Sequence, residues 1–456
     1  MQQITRRSYL AALGKGGALV TAAGATTLAA CGAPGAGVGE KAVAWRAPVT
    51  IKLDMWDYRP DIVRSNLDRF EQENPGIKVE GPETGPCCAK YRERMNTNFL
   101  GGYPMDAMYM RDEDVAEWAE AKWILPLDKM PGAAALDKDE YSFVHEQTHY
   151  KGTRYGTIYY IGLQTMLYNK AHLQEIGAKE PPSTYTKLRE LALQLKRQGV
   201  VEFPIWGMPS EGLLEVSYLA SGKRMFDAKN NQLFGKDPLF KEIVEWHVRA
   251  FQGDGIFGAK PDVQTPFDNG QSSFTWTSFY DLKRLNGQAS GATAGKAGGG
   301  AAGQLMNAVN PSFVAGKTGG SGICRQYAVA KATKHPMEAW KLISFLGGKD
   351  SDGKYSVAKR WWLEQGLWFG YKTLEQDPEV RRSADGWGDI AAAGKVVQGA
   401  SPRPGITAPW SDQWRTEFVA TMKEVFEGKL PVKDGIERGV QTWDQKKADF
   451  ERTHGR

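Results

Sequence analysis

Cysteine is scarce in this chain, with four in 456 residues, at positions 31, 87, 88 and 324. So few exclude a disulfide-built fold, and the adjacent Cys87 and Cys88 lack the two-residue spacer of a zinc knuckle. Excess charge is also missing: the formal net charge of +5 is small for this length. It implies neither a nucleic-acid partner nor a polybasic membrane surface. No apolar run is long enough to span a bilayer, because Lys15 and several glycines interrupt the best candidate, Ala11 to Ala30. There is no G-x-S-x-G nucleophile elbow and no internal repeat. Gly316-Lys317-Thr318 resembles the end of a P-loop, but Pro311 stands where the upstream glycine is required.

What is present begins at the N-terminus. Thr5-Arg6-Arg7-Ser8-Tyr9-Leu10 reads as a twin-arginine export signal, and the Ala/Gly-rich run after it ends in Leu28-Ala29-Ala30-Cys31. That ending is the pattern at which lipoprotein precursors are lipidated on cysteine and cleaved. Residues 1–30 are therefore expected to be a signal peptide, Cys31 the lipidated first residue of the mature chain, and 31–48 a flexible Gly/Ala/Pro tether. The expected place of work is extracytoplasmic, on the bacterial cell membrane.

Beyond the tether the sequence alternates between two periods. Val49–Trp56 alternates apolar and polar residues as a strand does, and Val63, Leu67 and Phe70 recur at helical spacing until Asn74-Pro75-Gly76. Ile77–Glu80 is a second strand, Tyr91, Met95 and Phe99 mark a second helix, and Asp106–Met110 is a third strand. This β-α-β-α-β rhythm predicts a parallel sheet with helices on both faces. Tyr155–Tyr168 reads as a strand crossing out of the first lobe, and Pro181–Thr184 opens a helix through Leu188, Leu191 and Leu195. Gly287–Gly303 reads as a mobile loop, Met337–Leu346 as a helix, and Phe418–Val440 as helix broken at Gly428 and Pro431.

One string suggests an enzyme. His145-Glu146-Gln147-Thr148-His149 matches the zincin pattern, with Glu146 as the general base. The third ligand fails: Tyr155 stands where the longer pattern needs histidine, and the nearest glutamate downstream is Glu175. The segment is also a poor helix, since it runs into Gly152 and a β-rich stretch. The expectation is two surface histidines near a turn, with no metal, no cofactor and no catalysis. For the remaining cysteines two pairings stay open: Cys324 with one of the adjacent pair, or a strained vicinal Cys87–Cys88 bond.

Taken in order, several strings resemble the extracellular solute-binding proteins that feed sugar ABC importers, of the maltose/glycerol-phosphate-binding type. They are Asp68–Val79, Gly102-Tyr103-Pro104-Met105-Asp106, Leu125–Asp128, Leu167-Tyr168-Asn169-Lys170, Pro182–Tyr185, Phe267–Phe274, His335–Trp340, and Ser401-Pro402-Arg403-Pro404 followed by Trp410. The resemblance covers Val49–Arg456. It implies a two-lobe α/β periplasmic-binding-protein fold of type II, each lobe a mostly parallel sheet flanked by helices, with a ligand cleft between them. The expected lobes are 49–157 with 313–352, and 158–312 with 353–456. It departs from the family at Gly162 and Gln164, where relatives often carry an acidic residue.

The expected function is capture of a mono- or oligosaccharide and its delivery to a membrane permease, by a monomer. Aromatic faces stack on sugar rings, so Trp56, Trp206, Trp276, Tyr280 and Trp387 are candidates among the 15 tryptophans and 17 tyrosines. Asp57, Asp106 and Arg403 are candidates for hydroxyl hydrogen bonding. Gly320 and Ser321 are candidates at the cleft, and Cys87 and Cys88 as part of its wall. Two alternatives stand beside this reading. One is an anionic solute such as glycerol phosphate, held by Arg403, Arg325 and Arg111. The other is a secreted hydrolase, acting as a zinc peptidase through His145 and His149 or as a glycosidase.

Overall fold

The structure is a computed structural model that describes residues 48–453, apart from 57, 84–88, 259–266, 268 and 288–300. The signal peptide, Cys31, the tether, Asp57, Cys87, Cys88 and most of the Gly287–Gly303 stretch lie outside the described residues.

The chain opens with strand β1 (Val49–Asp54), the helix Pro60–Glu73, β2 (Ile77–Glu83), the helix Ala89–Gly101 and β3 (Ala107–Arg111). The first helix starts at a proline, whose missing N–H lies among the donors that have no intrahelical partner anyway. It buries Ile62, Val63, Leu67 and Phe70 on one face. A small hairpin follows, β4 (His149–Tyr150) with β5 (Thr153–Arg154). The Tyr155–Tyr168 stretch forms two strands, β6 (Thr157–Leu163) and β7 (Thr165–Asn169), broken at the exposed Gln164. After them come β8 (Ile205–Trp206), β9 (Phe257–Gly258), β10 (Phe274–Thr277) and β11 (Leu305–Ala308). The chain then returns through β12 (Ser321–Val329) and β13 (Ser401–Pro402).

These strands build two sheets, one per lobe. The first has the order β13-β12-β3-β1-β2, with β6 also paired to β12. The second has the order β11-β7-β10-β8-β9. Strands joined by helical crossovers pair in parallel, as β1 does with β2 and β3 and β8 does with β9. Strands entering from the other lobe or from a long connection run antiparallel, as β12 does against β3 and β6, and β7 against β10 and β11. Both sheets are thus mixed rather than uniformly parallel.

Because β6 pairs with β12, the chain changes sheet at Gln164 rather than at the 157/158 boundary read from the sequence. In the same way β13 joins the first sheet. Trp361, Trp362, Val396 and Val397, from the helices Ser356–Gln365 and Ile390–Gln398, are buried in the apolar core that also holds Ile51, Leu53 and Met108. The C-terminal helices Ser411–Phe426 and Val432–Thr453 instead pack a separate cluster around Trp414, Phe418 and Trp443.

Candidate functional site

Three chain crossings meet between the sheets. The Asn310 amide donates to the carbonyls of Gln164 (2.8 Å) and Gly319 (2.9 Å), and the Ser401 N–H donates to the Gly320 carbonyl (3.0 Å). A Cβ on Gly320 would sit 2.9 Å from the Asn310 amide nitrogen. Gly320 and the buried Ser321 therefore serve the packing of this junction, and neither lines the cavities described next.

Beside the junction is a cavity of about 210 Å³ with aromatic walls. Trp56 and Tyr58, just past the C-terminal end of β1, form one wall, stacked with centroids 5.6 Å apart and planes 15° apart. Tyr58 continues the stack onto Trp361 at 5.8 Å and meets Tyr280 edge-on at 6.1 Å. Tyr280 comes from the helix Phe279–Leu285 that follows β10, so both sheets contribute to the pocket. Tyr160 and Gly162 of β6 and Trp368 complete it. A Cβ on Gly162 would stand 2.6 Å from Ile323, so glycine is required here for close packing. The Trp56 indole N–H is buried without a partner among the described residues, and orphaned buried donors are uncommon. Burial raises the Tyr58 hydroxyl far above its usual range, with Tyr280 and Tyr160 adding to the effect. It stays a neutral donor and acceptor.

Next to the aromatic wall lies a compact charge cluster at the end of β3. Arg325 Nη1 donates to Asp112 (2.6 Å) and Glu113 (2.8 Å), and Arg403 Nη2 donates to Glu113 (2.6 Å). Arg111 forks onto Asp114 with two bonds of 2.9 Å. Burial pushes the Asp112 carboxyl up, while Arg403 pulls the other way. Burial would raise Glu113 too, but a hydrogen bond with Asp112 and the Arg325, Arg403 and Arg111 charges hold it low. The three arginines proposed for an anionic solute are thus already engaged by carboxylates.

Several sequence candidates have structural work instead. Asp106 accepts from the Lys52 N–H (2.9 Å) and from the Thr333 hydroxyl (2.5 Å), tying β1 to the turn after β12. Trp387 is buried in the core, 5.4 Å from Trp362 and with its indole donating to the Ser383 carbonyl at 2.6 Å. Trp206 is exposed at the end of β8, and Trp276 is half-buried against the second sheet's core; neither lines the pocket. Arg403 lines a second, more open cavity of about 910 Å³, together with His145, Glu146, His149 and Arg224. The aromatic members Tyr58, Tyr160 and Trp368 were missed. Tyr58 lay one residue beyond the chosen Trp56-Asp57 pair, whereas no local pattern marked Tyr160 or Trp368.

The histidine pair also departs from expectation. Ser142–Thr148 is a helix, and His149 starts β4 immediately after it. The third potential ligand, sought downstream, lies upstream: Asp137 has an oxygen within 4.8 Å of donor atoms of both histidines. Glu146 pairs with Arg224 through two bonds of 2.8 Å. Cys324 is buried and has no disulfide partner among the described residues, which leave out Cys87 and Cys88; burial pushes its thiol pKa well up. No helix among the described residues is long and apolar enough to cross a membrane.

Comparison with known proteins agrees with this architecture. Residues 67–359, more than half of the chain, match the model of the bacterial extracellular solute-binding protein family. The sugar-binding protein MalE from Xanthomonas citri superposes with a TM-score of 0.75 at 18% identity, covering 90% of this chain and 100% of that one. The cyclic alpha-maltosyl-1,6-maltose binding protein from Arthrobacter globiformis gives 0.72 at 14%, over 88% and 99%. An ABC substrate-binding protein from Listeria monocytogenes, solved with cycloalternan, gives 0.70 at 14%, over 88% and 99%. These likenesses are to two-lobe binding proteins, and the family match extends across both sheets. The chain belongs to the bacterial extracellular solute-binding proteins.

Proposed function

We propose that this protein is the lipid-anchored substrate-binding component of an ABC importer, and that it captures a neutral sugar or polyol in the aromatic pocket. The observation that carries this reading is the pocket itself: ring faces from both lobes around a space of about 210 Å³, with the Trp56 indole N–H beside it unpartnered among the described residues. A sugar presents apolar C–H faces that stack on aromatic rings and oxygens that accept such a donor. The volume is below the roughly 300 Å³ where ordinary ligand pockets begin, so it suits one sugar ring or a polyol of that size. The names of the similar structures, a sugar-binding protein and a cyclic maltosaccharide-binding protein, support the same solute class. The engagement of Arg111, Arg325 and Arg403 by carboxylates weighs against an anionic solute.

A thermal-shift screen of the purified protein across monosaccharides, oligosaccharides, polyols and sugar phosphates tests the reading. Stabilisation by a neutral sugar or polyol is expected, as a ligand that binds only the folded state must produce it. Stabilisation by sugar phosphates alone would overturn it. The anchor is tested separately: Cys31→Ser should move the protein out of the membrane fraction, and Arg6→Lys with Arg7→Lys should stop export. Unchanged fractionation of the Cys31→Ser protein would refute lipidation there.

A further inference from the structure

We propose that Asp137, His145 and His149 form a binding site for one divalent transition-metal ion, opening into the larger cavity between the lobes. The backbone brings the two imidazoles together. His145 stands in the last turn of the helix Ser142–Thr148, and the chain turns into β4 at His149, leaving the ring centroids 3.9 Å apart. His149 Nδ1 lies 2.8 Å from the His145 carbonyl and 3.0 Å from the Thr148 hydroxyl. A carbonyl only accepts, so Nδ1 carries the proton and Nε2 keeps its lone pair. A metal-binding histidine is commonly oriented by such a bond from its other nitrogen to a carbonyl.

The freed Nε2 lies 3.5 Å from Asp137 Oδ1, and His145 Nδ1 lies 3.7 Å from the same oxygen. Zinc bonds of about 2.0–2.2 Å in a tetrahedron put neighbouring donor atoms roughly 3.4 Å apart. The three donor groups stand within 4.8 Å of one another, and a turn of the Asp137 carboxylate that brings Oδ2 toward the histidines would complete the set. Two imidazoles and a carboxylate suit Zn²⁺ and its first-row neighbours rather than Ca²⁺ or Mg²⁺, which take all-oxygen shells.

The surrounding charge permits a cation. Arg154 donates twice to Asp137 Oδ1, through Nε at 3.1 Å and through Nη2, and also to Glu140 Oε2 at 2.8 Å, and Glu140 Oε2 is 3.9 Å from His145 Nδ1. Two carboxylates against one guanidinium leave a net negative charge. A carboxylate has about four lone-pair sites, two on each oxygen; Arg154 fills those of Asp137 Oδ1 and leaves Oδ2 as the oxygen that a metal would take. Three protein ligands leave at least one coordination position for water or a solute atom, and both histidines line the cavity. Glu146, the general base of a zincin, faces away into its pair with Arg224. The site is accordingly a binding site, with no hydrolytic step, and it is independent of which solute the aromatic pocket takes.

The test is calorimetric titration of the metal-free protein with Zn²⁺, and the visible spectrum of its Co²⁺ form. One equivalent is expected, with a tetrahedral Co²⁺ spectrum free of thiolate charge transfer. His145→Ala and His149→Ala should each weaken binding by at least about tenfold, whereas Glu146→Gln should leave it unchanged. His145 is substantially exposed, so its variant keeps the test sound even if Asp137→Asn disturbs Arg154 and the fold. Absence of Zn²⁺ binding, full-strength binding in both histidine variants, or a thiolate band pointing to Cys87 and Cys88 would each overturn the proposal.

Discussion

Asp106 and Tyr280 are both ligand-binding candidates from the sequence, and the structure separates them. Both oxygens of Asp106 are used inside the first lobe, so Asp106→Ala leaves the Lys52 N–H and the Thr333 hydroxyl without their acceptor. The expected loss is about 1–3 kcal/mol of stability with unchanged solute affinity, measurable by urea unfolding alongside calorimetry. A clear loss of affinity in a folded variant would return Asp106 to the binding site. Tyr280 lies half-buried on the pocket wall. Tyr280→Ala should therefore weaken sugar binding by about 1 kcal/mol, or roughly fivefold, while the melting temperature of the free protein changes little. His247 carries a residue-scale pH prediction. It is fully buried among aromatic side chains, and burial lowers its pKa to about 4, partly offset by its bond to the Ile243 carbonyl. A folded value below the unfolded one means the unfolded chain binds more protons between pH 4 and about 6.5. Its contribution is complete above pH 6.5 and is lost as the pH falls toward 4, amounting to roughly 3 kcal/mol. His247→Phe should remove that slope from the difference between the two proteins. Equal acid sensitivity of both would count against it.

At the scale of elements, periodicity found the opening strands and several of the long helices, but not β8 to β13 or the helices Glu211–Ala220, Pro238–Val248 and Ser356–Gln365. The helix carrying Leu188, Leu191 and Leu195 runs from Tyr185 to Arg197, and Thr184 caps it by accepting from the Lys187 N–H at 3.1 Å. The break at Gly428 and Pro431 separates two C-terminal helices as read. The misread places are those where local pattern carries no information. Tyr155–Tyr168 is apolar and aromatic apart from Thr157 and Gln164-Thr165, and a single polar pair does not by itself announce that the chain leaves one sheet at Gln164 and joins another. The helix Ser142–Thr148 has weak propensity and forms because Phe143 and Val144 are fully buried. The crossing strands permit an element-scale prediction. A Cβ on Gly399 would lie 2.1 Å from the Thr318 carbonyl oxygen, a backbone atom that cannot step aside. Gly399→Ala should cost about 1–3 kcal/mol. Gly212→Ala, in a helix with nothing closer than 3.7 Å, should be neutral or stabilising by up to about 1 kcal/mol. Equal melting temperatures for the two variants would contradict a tight crossing.

For the whole molecule, the pairs that span the lobes are weak. Glu146–Arg224 reaches from the first lobe to the second lobe's helical cluster, with both side chains well exposed. Exposed pairs contribute about 0–1 kcal/mol, so this pair does little to fix the lobes, which are joined instead by the apolar core that Ile51 of one sheet shares with Leu167 and Leu305 of the other. Solute that touches Tyr58 on one side and Tyr280 on the other favours the closed arrangement by its differential affinity. Small-angle scattering should show a smaller radius of gyration at saturating sugar, and identical profiles would argue against closure. The amino-acid sequence by itself determined the alternation of strands and helices, the family, and the expectation of an exported two-lobe binder, because these rest on local periodicity and ordered short motifs. It also put forward Trp56 and Tyr280, two of its candidates that line the aromatic pocket, Trp56 from the strand end that periodicity located. Only the tertiary structure decided that Trp387 is core, that Asp106 is a tie between strands, that Arg403 pairs with Glu113 through Nη2, and that Asp137 meets the two histidines. Each of those outcomes depends on which distant side chain arrives alongside, and that is set by how the crossing strands bring the two sheets together.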